Sequence, residues 1–150
     1  LNKDYTKEYL TFKILSDGNI KWSNGKNAIA KTISYSRDNG STWNDITSSV
    51  EGVTIDVTSG EKIIFKGNNK AYSLGVAGSS FKNGTASFNL EGNIMSLIYG
   101  DNFINKTNLE QDNTFYELFS NSNVISAKNL KLPSMALTKE CYHSMFSYCT

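Results

Sequence analysis

The side chains able to do chemistry are few and dispersed. The chain carries one histidine, His143, and one arginine, Arg37. Its two cysteines, Cys141 and Cys149, flank that histidine. Zinc needs a fuller ligand set than these three, and Cys141 and His143 are too close for the usual finger spacing. No second ligand pair exists, and catalysis needs convergent groups with tuned acidity, for which a lone histidine is a weak candidate. The acidic residues are spread along the chain, so no carboxylate pair is selected for glycoside hydrolysis. Asp38 and Asp45 are the nearest thing to a calcium pair, without the ligand count calcium takes. Gly75-Val76-Ala77-Gly78 does not open a helix after a strand, so it is not a phosphate loop. Lysines are dispersed and the formal net charge is +1, which argues against a nucleic-acid partner. No apolar run reaches the length of a membrane span. These observations predict no enzyme, no metal and no cofactor. Trp22, Trp43, Tyr72 and Tyr99 remain, as core residues or as a sugar-stacking platform.

One short stretch has a definite pattern: Ser36, Asp38, Gly40, Thr42 and Trp43. It predicts a tight β-hairpin. Asn39-Gly40 supplies two residues that tolerate positive φ. Asp38 is short enough to accept from the turn's own N–H groups. Trp43 follows as a ring that closes over the turn. The five positions resemble the Asp-box hairpin of sialidase propellers and secreted bacterial β-domains. That resemblance implies a structural role away from any active site. A sialidase would need an arginine cluster for the sugar carboxylate, and Arg37 stands alone. A propeller would repeat the motif.

The surrounding elements read as short strands. Leu10, Phe12 and Ile14 alternate with polar residues, as do Ile20 and Trp22. Ile29, Ile33 and Tyr35 lead into the hairpin, and Trp43 and Ile46 leave it. Val53, Ile55 and Val57, then Tyr72, Leu74 and Val76, then Ala86, Phe88 and Leu90 continue the pattern, and Ile63-Ile64-Phe65 reads as a more fully buried strand. Asp17-Gly18, Asn24-Gly25, Ser59-Gly60 and Asn83-Gly84 punctuate it. This predicts a mainly β protein, with an antiparallel, immunoglobulin-like β-sandwich over 5–100. Residues 95–99 fit either a helical turn or a closing strand. Residues 101–112 read as a linker. The first residue is Leu1, which predicts a processed or trimmed product whose export signal or anchor lay upstream.

From residue 113 a repeat takes over. Phe115-Tyr116-Glu117-Leu118-Phe119-Ser120 aligns with Tyr142-His143-Ser144-Met145-Phe146-Ser147. The offset is 27, within the range of leucine-rich repeats. The segment 130–150 resembles the BspA-like leucine-rich repeat of Bacteroides-type surface proteins. It matches at Leu132, Pro133, Cys141, Tyr142, Met145, Phe146, Cys149 and Thr150. The β-part is similar to the domain that precedes such repeats, through 9–12, 35–43, 64–67 and 97–103. The resemblance implies one or two repeat units over 113–150, each a short strand plus a short helix. Their core would be Phe115, Leu118, Phe119, Leu132, Cys141, Tyr142, Met145, Phe146 and Cys149. It implies buried thiols rather than a local bridge. Arrays of this kind stack many units, so a unit broken at Thr150 implies a cut end that frays or self-associates. The implied function is a non-enzymatic, exported cell-surface protein. The repeats would bind a protein or glycan, and the β-domain would act as cap or spacer. A carbohydrate-binding accessory module and a phage structural or receptor-binding protein are the alternatives.

Overall fold

The chain forms nine short strands in the computed structural model, which describes residues 3–75 and 77–149. These are β1 (Leu10–Ile14), β2 (Gly18–Asn24), β3 (Thr32–Ser36), β4 (Asn44–Thr47), β5 (Val53–Val57), β6 (Lys62–Lys66), β7 (Ser79–Ser80), β8 (Phe88–Asn93) and β9 (Val124–Lys131). A 3-10 turn, Tyr5–Lys7, precedes them. A single helical turn, α1 (Ser96–Tyr99), runs into a second 3-10 turn, Gly100–Asn102. Val76 and Thr150 lie outside the described residues.

The protein is mainly β, built on two sheets. Six strands form one sheet in the order β4-β3-β6-β1-β8-β9, and three form the other in the order β5-β2-β7. Among residues 5–100 every strand pairing is antiparallel. The larger sheet is nonetheless mixed, because β9 joins its edge parallel to β8. Residues 94–123 carry the chain back before β9 begins, the long crossover that a parallel partner requires.

The inward halves of the strands share one core. Leu10, Phe12, Ile20, Trp22, Ile55, Ile63, Phe65, Phe88 and Leu90 are all buried. Phe12 stands at the centre, with ring centroids of Phe88, Phe65 and Phe81 at 4.4, 4.7 and 4.9 Å. Phe119, from beyond the expected linker, reaches the same ring at 6.1 Å. The apolar cluster runs without a break from Leu10 to Met145 and takes in Phe103, Leu109, Phe115 and Leu118.

Met95 to Tyr99 resolves as the helical turn. Its Ser96 is fully buried, and the hydroxyl accepts from Leu10 N (2.9 Å) while donating to the Phe65 carbonyl (2.8 Å). That joins the ends of β1 and β6. Two expected strand positions fall elsewhere. Ile29 lies exposed in the loop before β3, and Leu74 is exposed in an irregular segment ahead of β7. Neither lies in a strand, so its alternation has no sheet neighbour to satisfy.

Candidate functional site

The hairpin residues form a closed hydrogen-bond set. β3 ends at Ser36 and β4 begins at Asn44, so the connection is a seven-residue loop rather than a two-residue turn. Asn39 and Gly40 both have positive φ, 58° and 94°. Asp38 accepts from the Ser36 hydroxyl (2.8 Å), Thr42 N (2.8 Å) and the Thr42 hydroxyl (2.7 Å). Ser36, fully buried, accepts in turn from Gly40 N at 2.8 Å. The extra loop length is what lets one carboxylate gather three donors. The Thr42 hydroxyl, then Thr42 N and Ser36, hold the Asp38 carboxyl down to about 2. These oxygens serve the loop itself. Asp45 accepts from Ser34 on the neighbouring strand at 2.6 Å.

Trp43 is half-buried and braced from two sides. Lys66 Nζ sits 4.1 Å from its ring centroid, and the Tyr9 ring meets it edge-on at 5.3 Å. Lys66 donates to Asp101 at 2.9 and 3.1 Å, and the Tyr9 hydroxyl donates to the same carboxylate at 2.7 Å. Lys66 first, then Tyr9, lowers the Asp101 carboxyl. Burial, with Asp101 adding to it, pushes the Tyr9 phenol up to about 12. This network ties the hairpin to β1, β6 and the turn after α1. Trp22 and Tyr72 are fully buried, and Tyr99 lies under Lys106 with its hydroxyl on the Asn108 carbonyl. The four expected platform rings therefore do not share an open face.

The repeat residues build the most distinctive surface. Residues 113–122 and 138–149 form two stacked coils. Neither is a helix. Each is a run of turns in which every second N–H bonds three residues back, as in Leu118 to Phe115 and Met145 to Tyr142. A left-handed residue recurs every fourth position: Asn113, Glu117 and Asn121 in the first coil, Glu140, Ser144 and Tyr148 in the second. That recurrence is why the expected short helix does not form, since a left-handed residue ends α-helical propagation.

The two coils share one pattern of backbone turns and are bonded to each other in a fixed register. Asn113, Phe115, Glu117, Phe119 and Asn121 each donate N–H to the carbonyl 26 residues ahead, at 2.8–2.9 Å. Side chains stack at the 27-residue offset. Phe115 lies on Tyr142 at 5.7 Å, Tyr116 on His143 at 4.9 Å and Phe119 on Phe146 at 5.5 Å, all within 13° of parallel. Beneath them Tyr72 stacks on Phe115 and Phe81 on Phe119. Tyr72 N and Phe81 N also bond the Thr114 and Leu118 carbonyls. The ladder thus grows out of the body's core.

Its outer rung is open. The N–H groups of Glu140, Tyr142, Ser144, Phe146 and Tyr148 occupy the outward-donating positions and have no partner among the described residues. Met135, Leu137 and Tyr148 are exposed at 84%, 68% and 81%, and Phe146 at 37%. Leu132 is also exposed, whereas Phe115, Leu118, Phe119, Cys141 and Met145 are buried and Tyr142 is half-buried. Cys141 and Cys149 are free thiols, and Cys149 Sγ donates to the Phe119 carbonyl at 3.1 Å. The exposed His143 ring stacks on Tyr116. Among the described residues no three His, Cys, Asp or Glu side chains converge as a metal site, and no helix is long and apolar enough to cross a membrane.

Compared with protein-family models, curated proteins and solved structures, the chain matches none.

Proposed function

We propose that the chain is a non-enzymatic, exported surface protein in which a β-sandwich caps a solenoid of leucine-rich-repeat type. The observation that carries this reading is the register of the two coils: five inter-coil N–H···O bonds, three aromatic stacks at one offset, and the same five donor positions left open on the outer coil. A coil that reproduces itself at a fixed offset buries its apolar residues only against the next one. The body closes the inner side through Tyr72 and Phe81, so it plays the part of the terminal cap. Adhesion through such an array, to a protein or a glycan, is the function this architecture serves. The exposed outer coil is where a further unit would dock.

The test is to append a second copy of residues 123–149 and follow amide hydrogen exchange. In the chain itself the N–H groups of Tyr142, Ser144 and Phe146 exchange fast, and those of Phe115, Glu117 and Phe119 slowly. In the extended chain the first set becomes protected. If they stay fast while the added residues are soluble and intact, the solenoid reading fails.

A further inference from the structure

A second feature lies on the opposite side of the large sheet and does not depend on the solenoid reading. The Tyr5–Lys7 turn crosses the outer face of β8 and β9, and Asn93 Nδ2 donates to the Thr6 carbonyl beneath it (2.9 Å). Beside this turn is a concavity of about 250 Å³ lined by Tyr5, Lys13, Asn89, Leu90, Glu91, Ser126, Lys128 and Asn129. Its lining is almost wholly polar, on a face where a sheet of this size would ordinarily present scattered side chains to water.

The backbone is bent to build it. β9 shifts register against β8 twice, once between the Phe88 and Asn89 pairs and again between the Asn89 and Glu91 pairs. In a regular strand Lys128 and Asn129 would point to opposite faces. Here Ser126, Lys128 and Asn129 all line the same concavity, while Ala127 packs on the core. Such irregularities re-aim side chains and are characteristic of functional sites. Asn129 Nδ2 reaches the Tyr5 hydroxyl at 3.3 Å and closes the rim.

The lining is also chemically incomplete. Asn89 Oδ1 is buried with no hydrogen-bond partner, a state that costs the full desolvation of the carbonyl. Glu91 is a carboxylate exposed only 7% that the Tyr5 hydroxyl reaches as a donor, and it forms no ion pair among the described residues. Lys13 and Lys128 are likewise unpaired there. Two ammonium groups, one carboxylate and an unsatisfied amide oxygen in one small space leave an excess of one positive charge together with one acceptor that needs a donor.

We infer that this concavity binds a monoanionic, hydroxyl-bearing ligand of monosaccharide size, the chemistry of a uronic acid residue. Its carboxylate takes the donors of Lys13 and Lys128. Its hydroxyls donate to Asn89 Oδ1 and Glu91 and accept from Ser126 and Asn129. The Tyr5 ring forms the wall. The volume falls below that of drug-sized pockets and matches one sugar ring.

The experiment is a titration of the isotope-labelled full chain with sodium glucuronate, followed by amide chemical shifts, with glucose and sodium acetate as parallel probes at constant ionic strength. Glucuronate shifts the amides of Asn89, Ser126 and Asn129 and the Asn89 side-chain NH2 saturably. Glucose shifts the same signals with about tenfold weaker affinity, the loss of the carboxylate's contacts to two exposed lysines. Lys13→Ala with Lys128→Ala removes the difference between the two sugars while the rest of the spectrum stays dispersed, since both lysines are exposed. Ser126→Ala weakens both sugars. The inference is overturned if glucuronate produces no saturable shift at these amides. It is equally overturned if acetate reproduces the shifts, or if the double lysine variant binds glucuronate unchanged.

Discussion

Asp38 shows how much one short side chain does in this protein. Three donors converge on its carboxylate, and the loop geometry exists to bring them there. Its acidity in the folded chain, about 2, lies below the ordinary 3.8. A depressed carboxyl contributes stability that is complete above the unfolded value and is lost as pH falls through the folded one. Melting temperature should therefore hold down to about 3.8 and drop between there and about 2. In Asp38→Asn that drop should be shallower and the neutral-pH melting temperature lower. Thermal scans at a series of pH values read both, and identical pH profiles for the two proteins would reject the loop's role.

Gly92 is the second residue on which the fold depends. Its φ is +87°, and a Cβ there would meet the Tyr9 carbonyl oxygen at 2.0 Å. Tyr9 and Asn93 form a parallel bridge at this point, so the clash is with backbone that cannot move aside. Gly92→Ala should cost several kcal/mol, combining left-handed strain with steric overlap, roughly 3 or more in all. Chemical denaturation checks it, and a loss under about 1 kcal/mol would contradict the close approach.

At the scale of the element, the coils hold non-glycine residues in the left-handed region. Asparagine tolerates this, and Asn113 and Asn121 are natural occupants. Glu117, Glu140, Ser144 and Tyr148 are not. Their strain is offset by the inter-coil hydrogen bonds and by the stacked rings. A substitution then distinguishes a turn coil from a helix by its sign. Glu117→Gly and Ser144→Gly should each raise the melting temperature by about 2–4 °C, because glycine removes about 1 kcal/mol of left-handed strain. Were these segments helical, glycine would lower stability by a similar amount. Phe119→Ala tests the ladder itself. That ring is fully buried between Phe81 and Phe146, and its loss should cost about 3–5 kcal/mol. Phe146→Ala, on the open rung, should cost far less.

For the whole molecule, the question is whether the β-body stands without the coils. Phe119 reaches Phe12, Phe115 covers Tyr72, and β9 completes the sheet edge at β8. A chain ending at Gly100 exposes Tyr72, Phe81 and the β8 edge together. It should melt well below the full chain and associate through that edge. Light scattering and thermal scans of both lengths decide the matter. A monomeric, cooperatively melting short form would show that the β-body folds alone.

Much of this was legible in the chain. Period-two alternation marked β1, β2, β5 and β8, because a half-buried strand must alternate, and a continuous apolar run marked β6 as a more fully buried strand. Asn-Gly and Asp-Gly pairs marked the bends, and the recurrence of Phe115-Tyr116 at Tyr142-His143 marked the repeat. The type of structure within the repeat was not legible. Aromatic residues at that spacing suit a helix as well as a coil of turns, and Glu, Ser and Tyr carry no signal for a left-handed backbone. What local sequence determined, then, was where strands form, where the chain turns and which residues recur. The tertiary structure alone decided that β9 pairs parallel to β8, that two shifts in its register gather Lys128 and Asn129 on one face, and that the first coil donates its N–H groups to the second. Those outcomes depend on contacts between segments far apart in the chain, and side-chain order along a strand carries no record of its partner's register.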